Sequence, residues 1–226
     1  MLPPHFSPFS FDEAGRGALA GPVSVAMVSF SRETLDEIVS GKLLSGIRDS
    51  KILSPEKRES FAEEVKKIAS VWRVVFVSPK FIDQNNINQA IFYAINRAIP
   101  QLGDTSSYLF VDGNYKIKTK KKIEGYFSLP KGDDLMPTIS AASVLAKTYR
   151  DRWMDLLENK YPGYGFSKHK GYGTEFHREQ IQKLGISRIH RLSFLKFLRP
   201  EEKKGDLFSH DASSFTSSSF QKRKLL

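Results

Sequence analysis

A chain of 226 residues with 40% hydrophobic and 27% charged residues suits one globular domain, or one domain plus an accessory segment, with no need of a covalent staple. It has no cysteine, which excludes disulfides and thiolate metal sites. It also has no apolar run of about 18 residues, and residues 1–10 lack the basic and apolar regions of a signal peptide, so a cytoplasmic protein is expected. The net charge of +10 suits a polyanionic partner, and no basic amphipathic helix turns that expectation toward a membrane.

Taken in chain order, a short strand over 8–11 runs into Gly15-Arg16-Gly17. A second strand over 23–30 alternates Val23, Val25 and Met27 with Ser24, Ala26 and Val28. Ser54-Pro55-Glu56 combines an N-cap, a proline at the first helical position and an acid in the first turn. The helix it opens carries Phe61, Val65, Ile68 and Ala69 at helical spacing. A strand over 71–77 follows, then a short helix from Ser78-Pro79 and a longer one over 87–99 that Pro100 stops. Strands are expected over 108–111 and 124–129, and a long helix over 138–158 between Pro137 and Pro162. Strands alternating with helices predict an α/β layered fold over residues 1–200. From Glu201 the chain is charged, then rich in serine up to Lys222-Arg223-Lys224, and residues 201–226 are expected to form a disordered or loosely docked tail.

Carboxylates fall at strand ends. Asp12 and Glu13 meet the glycine turn, Asp112 closes an apolar strand before Gly113, and Asp133 lies in Lys131-Gly132-Asp133-Asp134 after a third strand. Strand ends along one edge of an α/β sheet are where such folds bind ligands. Carboxylates gathered there would repel one another and require hard cations such as Mg²⁺ or Mn²⁺. Singly, each acid is explained by a turn, a solvated strand end or a helix cap, and spacing does not rank the four above Asp134 or Asp49.

The ordered motifs resemble the type 2 ribonuclease H family (ribonuclease HII) from about Phe9 to Phe194. They are Asp12-Glu13-Ala14-Gly15-Arg16-Gly17 with Ala20-Gly21-Pro22, Asp49-Ser50-Lys51 with Leu53-Ser54, and Val111-Asp112-Gly113. Lys131-Gly132-Asp133, Ala141-Ala142-Ser143 with Ala146-Lys147, Arg150-Asp151 and His169-Lys170-Gly171-Tyr172 complete the set. The resemblance implies an RNase H-like fold, a mixed five-stranded sheet flanked by helices with a C-terminal helical region. It implies that Asp12, Glu13, Asp112 and Asp133 bind two divalent ions, Mg²⁺ or Mn²⁺, held about 4 Å apart for in-line attack by water, leaving a 5′-phosphate and a 3′-hydroxyl. The implied substrates are RNA/DNA hybrids and duplex DNA containing ribonucleotides, cut by a monomer.

In such enzymes the glycine turn, here Gly15, Arg16 and Gly17, reads the ribose 2′-hydroxyl through backbone groups that no Cβ obstructs. By itself Tyr172 reads as a core or loop tyrosine; its Lys170-Gly171-Tyr172 context assigns it to the sugar beside the RNA-to-DNA junction. Ser50, Lys51, Lys168 and Lys170 are expected on phosphates, and Lys147 near the reacting centre. Asp151 is expected to pair with a cation rather than catalyse, and Lys116 to Lys122 to form a solvated hairpin or, failing that, an added duplex-binding edge. His169, His177 and His190 lack ligand spacing and are expected to be structural or to touch phosphate. A resolvase-like or transposase-like DNA nuclease is the main rival, with a non-catalytic hybrid-binding module or a basic nucleic-acid-binding protein behind it. Phe11, before Asp12, is bulkier than the family's usual aliphatic residue.

Overall fold

The strand that carries the first carboxylates, β1 (Ser7–Ala14), lies at the centre of a five-stranded mixed sheet. The computed structural model describes residues 7–47, 50, 52–100, 107–117, 119 and 123–198. Asp49, Lys51, four lysines of the basic run (Lys118, Lys120, Lys121 and Lys122) and the tail from Glu201 onward lie outside the described residues. β1 pairs antiparallel with β2 (Val23–Ser29), which pairs antiparallel with β3 (Val71–Val77). On its other side β1 runs parallel to β4 (Ser107–Asp112), and β4 parallel to β5 (Gly125–Leu129). The expected α/β sheet is therefore present, with β1 longer than its sequence pattern marks.

β2 is buried throughout because both faces of the sheet are covered. Val23, Val25 and Met27 join Phe9, Phe11, Leu109 and Val111 in the core under α3 (Pro79–Ala98), to which that helix contributes Ile91, Ala94, Ile95 and Ala98. Ala26 and Val28 face α5 (Pro137–Lys160), whose Ala141, Ala142 and Ala146 let the helix lie close to the sheet. Ser10 Oγ donates to Thr138 Oγ1 at 2.8 Å and Ser24 Oγ to the Ala146 carbonyl at 3.0 Å, so that close contact leaves these polar groups paired.

The two helices expected between 78 and 99 form one element interrupted at Asn86, where φ is 65° and ψ is 167°. Asn86 Oδ1 accepts from the Gln89 amide at 3.1 Å, so the asparagine caps the second half at its own break. α1 (Arg32–Val39) carries no expectation from sequence. It is under three turns long, with only Ile38 buried, and Ser31 caps it by accepting from the Thr34 amide. α2 (Pro55–Ile68) starts at the Ser54 cap as expected. The C-terminal helical region consists of α6 (Phe166–His169), α7 (Glu175–Leu184) and a 3₁₀ turn at Leu192–Phe194, and it ends a compact unit of residues 1–195. In the second unit, residues 196–226, the structure describes a 3₁₀ turn at Lys196–Leu198. Among the described residues no helix is long and apolar enough to cross a membrane.

Candidate active site

Register builds the acidic centre. Phe11 lies opposite Val111 in the parallel β1–β4 ladder, so Asp12 and Asp112 emerge side by side one residue later. Phe9, Phe11, Leu109 and Val111 point into the α3 core, and strand alternation therefore turns both aspartates toward α5. The short α4 (Gly132–Leu135), directly after β5, brings Asp133 to the same point. One carboxylate oxygen from each of Asp12, Asp112 and Asp133 lies within 4.8 Å of the others. Asp133 is buried while Asp134 is exposed, which separates two neighbours that the sequence left equivalent.

Main-chain amides donate to two of these acids. Gly132 N–H donates to Asp112 Oδ1 at 2.7 Å and Glu13 N–H to Asp12 Oδ1 at 2.7 Å. Burial, and then the charge of Glu13, hold the Asp12 carboxyl well above the usual carboxylate range. The nearby Ser143 hydroxyl offsets part of this, and the charge of Asp112 adds to it. An all-oxygen set of mutually repelling carboxylates fits a hard divalent cation.

Glu13 does not join the three. As the next residue of the strand it takes the opposite side, where Tyr115 Oη donates to its Oε1 at 2.8 Å. Arg16 donates to Tyr115 Oη at 2.6 Å and to Asn88 Oδ1 at 2.7 Å, and lies 3.8 Å from Glu13. Tyr115 is thus the junction between the fourth acid and the glycine turn. Burial and Glu13 push its phenol upward, so it stays a donor. No sequence motif marked it.

Apart from Lys51, which lies outside the described residues, the remaining expected residues line one cleft of about 940 Å³ together with Asp12, Glu13 and Asp112. Gly15, Arg16 and Gly17 form one wall; Lys168, Lys170 and Tyr172 form another. Ser50 Oγ accepts from Ser143 Oγ at 2.9 Å, which fixes its segment beside the acids. Lys147 donates to Asp151 at 2.8 Å, and Arg58 approaches the other oxygen of Asp151 at 3.6 Å. Asp151 therefore pairs two cations. Lys170 is ion-paired with Asp155. Lys147 Nζ and Arg150 Cζ lie 5.7 Å and 5.3 Å from the centre of the Tyr172 ring, which holds that half-exposed ring at the cleft.

The histidines form a buried chain behind Tyr172. His177 Nδ1 donates to the Tyr172 carbonyl at 2.9 Å, so its Nε2 accepts from His190 Nε2, 3.1 Å away. His190 Nδ1 then accepts from the Ser187 amide and hydroxyl. Every ring nitrogen of the pair is committed with both rings neutral. Burial pushes both imidazoles down to about 4. In the unfolded chain they take up protons near pH 6.5. Between pH 6.5 and about 4 the unfolded state consequently holds more protons, and stability falls as pH falls, by about 1.4 kcal/mol per unit for each ring that titrates. Urea midpoints measured at pH 7.5, 6.5 and 5 are expected to hold steady between the first two and drop at the third. A flat profile down to pH 5 contradicts the assignment.

A family model described as Ribonuclease HII matches residues 10–197. The chain is 45% identical over 185 residues to a ribonuclease HII of Caldicellulosiruptor bescii, covering 82% of this chain and 84% of the relative. It is 42% identical over 201 residues to that of Nitratidesulfovibrio vulgaris, covering 85% and 87%. The crystal structure of ribonuclease H2 from Pyrococcus horikoshii shares the fold, with a TM-score of 0.64 over 83% of this chain and 93% of that one at 24% identity.

Proposed function

The chain belongs to the ribonuclease HII family, and from that premise we propose that it nicks duplex DNA on the 5′ side of embedded ribonucleotides as well as cutting long hybrids. It is a ribonuclease H, a divalent-metal-dependent hydrolase acting on RNA/DNA hybrids. The observation that carries the finer reading is the shared cleft: Asp12 and Asp112, which converge with Asp133, share one space with a glycine turn and an exposed tyrosine. In this reading Asp12, Asp112 and Asp133, with Glu13 at the edge of the cleft, hold two ions, Mg²⁺ or Mn²⁺. When bound, the ions supply an activated water for in-line attack and charge stabilisation for the leaving 3′-oxygen.

The chain's own groups do the rest. The backbone of Gly15, Arg16 and Gly17 reads the 2′-hydroxyl, and Tyr172 packs on the adjacent deoxyribose, which a 2′-hydroxyl would crowd. Ser50, Lys51, Lys168 and Lys170 position phosphates without reading bases, and Lys147 supplies positive charge near the reacting phosphate. The catalytic unit is assigned to residues 1–200, with 201–226 as an appendage. The reading includes a cytoplasmic location, compatible with zero cysteines, and a monomeric state that sedimentation at micromolar concentration tests.

The test is a DNA duplex with one ribonucleotide, beside a uniform RNA/DNA hybrid and an all-DNA duplex, each with Mg²⁺, Mn²⁺ or EDTA. Metal-dependent cleavage 5′ of the ribonucleotide is expected, with Tyr172→Ala lowering kcat/KM on that substrate by about tenfold or more and the hybrid rate far less, a loss of about 1.4 kcal/mol of transition-state stabilisation. Cleavage of the all-DNA duplex at the same rate would make the protein a DNA nuclease. Cleavage of the uniform hybrid alone would remove the roles given to Tyr172 and the glycine turn.

A further inference from the structure

Two arginines lie fully buried behind the recognition wall, each with no exposed surface: Arg150 of α5 and Arg191 after α7. Among the described residues neither is paired with a carboxylate, and every hydrogen bond they make goes to a main-chain carbonyl. Arg150 donates to Pro22 at 2.9 Å, to Ala20 at 3.2 Å and to Lys170 at 2.9 Å. Arg191 donates to Gly21 at 3.0 Å and to Arg16 at 2.9 Å. Two cations thus collect four carbonyls from the turn that begins at Gly15 and one from the segment that carries Tyr172.

The same segments are stitched together by their backbones. Leu19 and Ala20 N–H both donate to the Gly171 carbonyl, Gly21 N–H to Ile189, and Arg191 N–H to Leu19. The approach is close enough that a side chain on Gly171 would meet the Ala20 carbonyl at 2.4 Å. Arg150 also lies under the Tyr172 ring. Burying two uncompensated cations side by side is a poor way to gain stability; apolar side chains of similar volume do as well or better. A guanidinium, however, is a rigid fork that fixes several acceptors at set angles, which neither an apolar residue nor a lysine can do.

We propose that Arg150 and Arg191 form an internal clamp that joins the glycine turn and Tyr172 into a single reader, and that this clamp sets specificity for the ribonucleotide junction. Both are positioning residues; neither touches substrate. The proposal rests on the reading above, in which the turn meets the ribose and Tyr172 the next sugar. Junction cleavage then requires both contacts at a fixed spacing, whereas a uniform hybrid can be held by the turn alone. Geometry at this level matters: a misplacement of about 1 Å caused by a remote change can cost on the order of 10²-fold.

The experiment compares Arg191→Lys, and Arg150→Lys as a second route should the first not fold, with the unaltered protein and with Tyr172→Ala. Three quantities are measured: kcat and KM on the single-ribonucleotide duplex, the same on a uniform hybrid, and Mn²⁺ affinity by calorimetry. The expected result is a fall of about 10-fold to 10²-fold in the ratio of the two kcat/KM values, with Mn²⁺ affinity unchanged within about twofold. A lysine variant that lowers both substrates by the same factor, or leaves both untouched, overturns the clamp, because a merely structural role does not move the ratio. If Tyr172→Ala leaves the ratio unchanged, the recognition reading itself fails and the clamp falls with it. If Tyr172→Ala moves the ratio and neither lysine variant does, the clamp alone is lost.

Discussion

Asp112→Asn is expected to lower kcat by at least about 10²-fold to 10³-fold with either Mg²⁺ or Mn²⁺, while leaving the metal-free protein as stable as before or more so. The two effects separate because the residue has two separable jobs. Asparagine keeps the oxygen that accepts from Gly132 N–H, so the turn into α4 retains its 2.7 Å hydrogen bond. What it loses is a negative charge within 4.8 Å of two other aspartate oxygens. Asp12 shows the strain of that charge, since burial, Glu13 and Asp112 all raise its carboxyl. An acid whose folded value lies above its unfolded one opposes folding when ionised, and removing a like-charged neighbour relieves this. Thermal unfolding in EDTA and a cation titration followed by calorimetry, run beside the cleavage assay, check both halves. A variant that is inactive and also several degrees less stable would show that the cluster is held for structure rather than for a cation.

Gly15→Ala and Gly17→Ala, two residues apart in one turn, are expected to fail in opposite ways. Gly15 has φ of +84°, and a Cβ there would lie 1.8 Å from Arg150 Nε. The conformation costs an L-residue roughly 1–2 kcal/mol. Forcing the buried guanidinium aside adds about 1–3 kcal/mol of overpacking. For a chain of this size that amounts to a fall in Tm on the order of 5–15 °C. Gly17 lacks a left-handed φ, and nothing lies within 4 Å of the position its Cβ would take. Alanine there is expected to leave Tm within the effect of about 0.5 kcal/mol usual for a surface change. Cleavage at a ribonucleotide should nevertheless drop, since in the proposed reading the ribose approaches through that empty space. Melting curves and kcat/KM for the pair decide the matter: equal losses of stability would show that both glycines serve the fold, and an active, stable Gly17→Ala would remove Gly17 from the reader.

Much of the site was legible before folding because its signals are local. A carboxylate directly after an apolar strand, a glycine turn after Asp12-Glu13 and a Ser-Pro-Glu helix start each need only a few neighbouring residues to be recognised. The ordered motifs, the α/β class, the family and the candidate acids Asp12, Glu13, Asp112 and Asp133, not yet ranked above Asp134 or Asp49, all come from such signals. α1 escaped for the same reason: little more than two turns with one buried residue carry too little periodicity to stand out.

What tertiary structure decided depends on contacts between residues far apart in the chain. Only the β1–β4 pairing, across 100 residues, turns Asp12 and Asp112 to one side, and the same strand alternation sends Glu13 to Tyr115 on the other. Burial of Asp133 and exposure of Asp134 follow from how α4 meets the sheet. The interiors of Arg150, Arg191, His177 and His190 could not be read from composition, since such residues are ordinarily exposed or only part-buried. They are inside because backbone carbonyls from two separate segments, residues 16–22 and 170–172, and one another's ring nitrogens, supply the hydrogen bonds that water would otherwise give. Sequence periodicity reports which face of an element is apolar; which polar groups meet across the interior is settled only when the sheet order brings distant segments together.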